Sequence, residues 1–197
     1  IVYKMFPSLF KNRRIIVNDP AIARKLFSEV WPWSFVWFGL RIYLGWLWLH
    51  AGWVKILASG ARPWGPEAIL KYWTNAVAIP TTPARPAIAY DWYRIFLQLL
   101  IDVRAETWFA PLVAWGEFLI GLALILGFFT GISAALGAFM NMNFMLAGTA
   151  SINPVMLLLS VLLMLGWKTA GWWGFDRWIL PKLGAPWSRV EVIIDSG

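Results

Sequence analysis

Between residues 108 and 165 the chain carries a single ionisable side chain, Glu117. The stretch begins WFAPLVAWGEFLIGLALILGFFTGISAALGAFMNMNFMLAG, pauses at TASINP and resumes as VMLLLSVLLML. A water-soluble core has no room for that much continuous apolar helix, and a bilayer does. Crossing about 30 Å of hydrocarbon at about 1.5 Å per residue takes roughly 20 residues. Breaks at 127–131 and 148–154 divide the stretch into about three such lengths. The expectation is an integral membrane protein.

Composition agrees. Hydrophobic residues make up 60% of the 197 and charged residues 14%, well away from the soluble balance. That length suits four spans with some surface structure, not a large extra domain. The absence of cysteine removes a thiolate nucleophile, a disulfide framework and a Cys-ligated metal or iron–sulfur site. One histidine leaves an all-protein haem or zinc site short of ligands unless a partner supplies them. No Gly-rich phosphate or dinucleotide motif and no paired-carboxylate metal signature is present. No protein-ligated metal, haem or flavin is therefore expected. The net charge of +7 reads as membrane topology and attraction to anionic headgroups, with no nucleic-acid partner. Sixteen Trp suit indoles anchoring helix ends at the interface. The first residue is Ile rather than Met, as a processed or partial chain would give.

In chain order, residues 1–32 form a basic arm. Asp19 and Pro20 would open an amphipathic helix through AIARKLFSEVW, with Ile22, Leu26 and Phe27 on the membrane surface. A solvated or partner-held arm is the other reading. The membrane domain, 33–170, has expected spans at about 33–57, 108–128, 131–149 and 153–168. Lys55, near the end of the first, is expected to snorkel. The second and third form an antiparallel hairpin, and Gly116, Gly121, Gly137 and Ala138 allow close helix approach. The external connection, 58–107, carries two amphipathic patterns. One, over 66–79, places Ile69, Tyr72, Trp73 and Val77 along one side. The other, over 87–104, places Ile88, Trp92, Ile95, Phe96, Leu99 and Val103 on one face. Charged residues interrupt the second too often for a span, so both read as interfacial helices forming a lid; a tilted or re-entrant segment is the alternative. Residues 171–197 read as an aromatic interfacial tail whose helix Asp176 and Arg177 cap and solvate. The expected fold class is thus an all-α integral membrane protein, a four-transmembrane-helix bundle with interfacial amphipathic helices in the long first extramembrane connection.

The arm has Lys4, Lys11, Arg13, Arg14, Arg24 and Lys25 against Asp19 and Glu29, while the connection is nearly balanced in charge. Both termini are therefore expected on the cytoplasmic side. With that topology, His50, Glu117, Asn141 and Asn143 fall in one layer on three helices. Polar groups at that depth face inward and seek partners. Their functional reading is a headgroup site for a lipophilic carrier such as quinone. Glu117 and His50 would handle protons, and Asn141 and Asn143 would orient a carbonyl. Tyr43, Trp46 and Trp53 would supply flat walls, with Arg41 a second charge partner. The bland reading is a His50–Glu117 or Arg41–Glu117 pair that only fixes helix register.

Three segments, RIYLGWLWLHAGWVKI at 41–56, WGEFLIGLALILGFFTGISAALGAF at 115–139 and NMNFMLAGTASINP at 141–154, together resemble the DoxX/DoxD family of small four-helix membrane proteins. The resemblance covers most of the membrane part. It implies a subunit of a thiosulfate:quinone oxidoreductase, working beside a small partner subunit and passing electrons from an external sulfur donor to membrane quinone. Any redox metal or flavin would then sit on the partner. Arg41, His50, Lys55, Glu117, Asn141 and Asn143 are the family-like polar positions it marks. The expected location is the inner (plasma) membrane of a prokaryote. The alternative is a non-catalytic accessory or assembly subunit of a larger respiratory or photosynthetic complex. Its arm, tryptophans and tail would then dock against neighbouring helices or pigment–proteins. A small transporter ranks third, because broken-helix repeats are absent.

Overall fold

Where side chains offer the backbone no polar partners, only a helix satisfies its N–H and C=O groups internally. The structure, a computed structural model, describes residues 20–57, 64–81 and 83–185, and among these it contains helices and no strand. They are α1 (Ala21–Ser28), α2 (Trp33–Ile56), α3 (Pro66–Val77), α4 (Asp91–Asp102), α5 (Glu106–Leu126), α6 (Thr130–Leu146), α7 (Asn153–Leu165), α8 (Trp167–Gly171) and α9 (Asp176–Lys182). The proposed cap Asp19, the basic residues Lys4, Lys11, Arg13 and Arg14, and the polar end of the tail lie outside the described residues.

The tightest packing joins α2 to α5. At three- and four-residue spacing α2 buries Trp37, Arg41, Leu44, Trp48 and Gly52, the stripe a 3.6-residue period turns to one side. α5 answers with Val113, Ala114, Glu117, Gly121 and Leu124. The two backbones touch because glycines sit at the crossing. A methyl group on Gly52 would stand 2.3 Å from the Phe118 nitrogen, and one on Gly121 would stand 2.2 Å from the Leu49 nitrogen. Gly137 on α6 likewise makes room for the Trp48 indole, whose Nε1 lies 2.9 Å from where a methyl would be. α6 and α7 then pack along each other, and Leu124, Ala134, Met156 and Leu163 join Trp37 and Trp48 in one core.

Helix lengths depart from the four expected spans. Among the described residues one helix, Glu106–Leu126, is long and apolar enough to cross a membrane. α2 has 24 residues but carries Arg41, His50 and Lys55. α6 has 17 residues, about 25 Å. α7 has 13, about 20 Å, so the span expected at 153–168 stops early. It breaks at Gly166, where the Trp37 indole packs so closely that a methyl would meet it at 3.1 Å, and the chain resumes as α8.

The connection folds back on the bundle. α3 buries Ile69, Trp73 and Ala76, essentially its expected side. α4 does not follow its pattern: it is shorter than 87–104, it buries Tyr93 and Leu97, and it leaves Trp92, Ile95, Leu99 and Val103 more than half exposed. A hydrogen bond explains the rotation. Turning Tyr93 inward lets its hydroxyl donate to the Asn143 carbonyl at 3.0 Å, a partner an apolar face does not offer. At the other end α1 is docked on the bundle, with Trp37 Nε1 donating to the Leu26 carbonyl (2.6 Å) and Thr169 Oγ1 to the Phe27 carbonyl (2.7 Å).

Overpacking a tight core costs about 1–3 kcal/mol or more, and at Gly121 the clash is with backbone, which has nowhere to move. Gly121→Val is therefore expected to lower the midpoint of thermal unfolding in detergent by many degrees or to prevent accumulation of folded protein. Gly116→Ala, whose new methyl would meet only the Met140 sulfur at 3.7 Å, should unfold at the wild-type temperature by tryptophan fluorescence.

Candidate functional site

Gly52 brings α2 against Phe118, so the neighbouring Glu117 faces the last turn of α2. Lys55 lies three residues beyond Gly52 and seven beyond Trp48, on the same stripe. Its ammonium donates to Glu117 Oε2, forming an ion pair in which the Glu117 side chain is 2% exposed and that of Lys55 23%. The ammonium also sits 5.1 Å from the centre of the Trp64 ring, a cation–π contact. Trp64 is held in turn by Nε1 donating to the Ala110 carbonyl at 2.8 Å.

The pair borders a cavity of about 340 Å³. Trp48 and Ala51 of α2, Trp64, Tyr72 of α3 and Phe144 of α6 line it, with Thr149 and Ser151 from the break between α6 and α7 and Asn153 from the start of α7. That break is internally braced: Asn153 Nδ2 donates to the Thr149 carbonyl (2.9 Å), and Thr149 Oγ1 lies 2.8 Å from the Tyr72 hydroxyl. A smaller aromatic chamber of about 50 Å³ shares Trp64, Tyr72 and Phe144 with the first cavity. The arrangement offers a carboxylate and an ammonium joined by one hydrogen bond, facing a space of small-molecule size.

The expected polar layer is not assembled as foreseen. His50 is exposed and lies beside Trp46, ring centres 6.0 Å apart; Lys55 takes its expected place at Glu117. Two residues past Trp48, His50 stands about 200° around the helix from the buried stripe. Lys55 therefore turns inward rather than snorkelling outward. Tyr43 and Trp46 are about half exposed on the outer face of α2 and border neither of these two cavities, and Trp53, also outward, stacks on Phe118. Arg41 is buried at the opposite end of α2, where it donates to the carbonyls of Leu124 (2.8 Å), Ile125 (3.3 Å) and Trp173 (3.0 Å). Asp176 does not solvate the tail helix. It is buried and accepts from the backbone nitrogens of Phe129 (2.6 Å) and Thr130 (2.8 Å), capping α6.

Asn143 borders the aromatic chamber, with Oδ1 accepting from Tyr93 at 3.2 Å and Nδ2 donating to the Phe139 carbonyl at 2.8 Å. Asn141 is fully buried, and neither its Oδ1 nor its Nδ2 has a hydrogen-bond partner in the structure; the Trp48 indole nitrogen shares that state. No cluster of three or more His, Asp or Glu placed to hold a metal forms among the described residues. Sequence reasoning passed over Tyr72, Trp64 and Thr149, and it read Lys55 as an anchor. The usable signals were the register of Lys55 with Gly52 and the polar character of TASINP.

Fold and site together describe a small helical protein with a largely buried ion pair bordering an open cavity. A family model described as DoxX matches residues 36–150, more than half of the chain, and the protein belongs to the DoxX family, a family of membrane proteins. No curated protein and no solved structure matches the chain.

Removing one partner of the pair leaves the other group unpaired and largely buried, a loss of about 1–3 kcal/mol or more. Lys55→Met is expected to lower thermal stability. In the double variant Lys55→Met/Glu117→Leu much of that loss should return, which a double-mutant cycle of unfolding midpoints would read. A second expectation concerns alkaline pH. Burial, with Tyr72 nearby, pushes the Tyr93 phenol up from 10.0 to about 12. The folded state thus favours the neutral phenol: its contribution is complete below about pH 10 and lost as the pH climbs from there towards 12. Unfolding midpoints measured across that range should fall, and should fall less steeply in Tyr93→Phe.

Proposed function

We propose that this chain is the quinone-interacting membrane subunit of an oxidoreductase, with the Lys55–Glu117 pair at the quinone headgroup. The observation that carries this reading is that the largely buried pair lines a cavity of about 340 Å³ together with aromatic rings and hydroxyls. That volume lies within the span of small-molecule sites, about 300–1,000 Å³. Bound there, a quinone supplies a two-electron, two-proton acceptor whose carbonyl oxygens each call for a hydrogen-bond donor. Lys55 is such a donor. Glu117 holds Lys55 in place and takes up or releases the proton that accompanies electron arrival. The electrons come from a redox centre on a small partner subunit that oxidises an external donor such as thiosulfate, in keeping with the DoxD-type resemblance.

On this reading α2, α5, α6 and the α7–α8 pair cross the inner membrane of a prokaryote with both termini cytoplasmic. Support comes from the outer faces: Leu112, Leu119 and Leu126 on α5, and Ile132, Leu136 and Phe139 on α6, recur at helical spacing and are 43–67% exposed. Lipid covers such faces at no cost. A second reading, an accessory subunit of a larger respiratory or photosynthetic complex, draws on Trp31, Trp178 and Leu183, all more than 60% exposed on or beside α1 and α9.

Gentle solubilisation from the native membrane separates the two. A co-purifying small subunit, stoichiometric quinone and thiosulfate-dependent quinone reduction are expected. Glu117→Gln should lower that turnover at least about a hundredfold, the low end of what a proton-transfer group contributes. Co-migration with a large assembly, and turnover indifferent to Glu117→Gln, would establish the accessory role instead.

A further inference from the structure

The cavity beside Lys55 and Glu117 has a second set of polar groups, contributed by different elements. Tyr72 reaches it from α3 and Thr149 from the break after α6, with their hydroxyls 2.8 Å apart. Thr149 is fixed by backbone as well as side chain: its N–H donates to the Phe144 carbonyl at 2.9 Å, and its own carbonyl accepts from Asn153 Nδ2 at 2.9 Å. The pair of hydroxyls has two O–H donors, and only one is used between them. The other protein acceptor near the phenol is the Phe144 carbonyl at 3.5 Å, at the far limit of a hydrogen bond. One donor is therefore left for an incoming acceptor, and with Thr149 donating to the phenol oxygen that donor is the Tyr72 O–H. The Tyr72 ring also borders the aromatic chamber, together with Trp64 and Phe144, so the hydroxyl stands where the two spaces adjoin. Burial raises the phenol from its ordinary value, which keeps it protonated, and hence a donor, at physiological pH.

We propose that Tyr72 is a ligand-contacting residue of this cavity, its hydroxyl positioned by Thr149 to donate to the second carbonyl oxygen of the ligand whose first carbonyl meets the Lys55–Glu117 pair. The proposal rests on the quinone reading above and adds a selection rule. The site takes a flat ring with an acceptor oxygen at each end, and it holds a ring with one such oxygen less tightly.

The test measures binding of a decyl-substituted benzoquinone to the purified chain in detergent, by quenching of tryptophan fluorescence. An aryl ketone with the same tail is the comparison ligand, because its single carbonyl is taken by the charged pair. Tyr72→Phe keeps the ring and deletes the donor. It is expected to weaken quinone binding about 5- to 10-fold, the usual weight of one hydrogen bond, and to change ketone binding less than about 2-fold. Thr149→Val, which spares the phenol and removes its partner, should shift quinone binding in the same direction. Equal weakening for both ligands would mean that Tyr72 only shapes the cavity, and the proposal would fall. Quinone binding weakened by Glu117→Gln but not by Tyr72→Phe or Thr149→Val would also overturn it while leaving the quinone reading intact. No quinone binding by the wild-type chain would overturn both.

Discussion

At Gly52 and Gly121 the backbones of α2 and α5 come so close that neither position accepts a methyl group, and the register this imposes determines what each helix presents to the other. Small residues matter more in a bilayer than in water, because lipid tails are as apolar as leucine and association rests on close contact rather than on hydrophobic burial. Once Gly52 sits on Phe118, Glu117 faces the last turn of α2. Lys55 is then the α2 residue within its reach. The ion pair is thus a consequence of two glycines and a helical repeat, and the cavity beside it is the space left where α2 ends and α3 folds over the bundle.

The other end of α2 shows the same backbone chemistry put to an opposite use. Arg41 donates to the carbonyls of Leu124 and Ile125 in the last turn of α5, where a helix end has acceptor capacity to spare, and of Trp173 in the turn before α9. Gly127, at φ +65, lets the chain turn beneath the guanidinium, where a methyl would stand 2.2 Å from Nη1. Phe129 follows with φ 47, a left-handed conformation costly for a bulky residue. Asp176 holds that turn by accepting the Phe129 and Thr130 nitrogens. Arg41 and Asp176 close the bundle at this end. Lys55 and Glu117, at the far end of α2, have open space beside them. That second pair borders a cavity.

Helical periodicity and the single acid carried much of this in the sequence. The limits of α2, α5 and α6 fall within about three residues of the spans read from apolar runs, and Glu117 was conspicuous as the one charge in its stretch. Depth along a helix, however, says nothing about azimuth. His50 and Glu117 matched in depth, but only packing at Gly52 decides that the stripe facing Glu117 runs through Trp48 to Lys55. α4 misled for a related reason. Its apolar face was real, but the Tyr93 hydroxyl found its acceptor on Asn143, and the larger apolar residues turned outward. Tyr72 and Trp64 lie in the connection, and no local pattern tells where a connection folds back on a bundle.

The charge state of the cavity bears on what it can hold. Lys55 already has its counter-ion, so a small anion entering this space would have to compete with Glu117 at hydrogen-bond distance and would meet a second negative charge there. A neutral ligand that offers acceptor oxygens meets no such penalty: it can share the ammonium without displacing the carboxylate. A sulfur oxyanion is therefore poorly matched to this site, and the proposed quinone meets no such obstacle. If the proposed activity includes an anionic donor, that donor is oxidised outside this cavity, on the partner, and only electrons and protons meet at Lys55 and Glu117. The division follows from the pairing of Glu117 with Lys55.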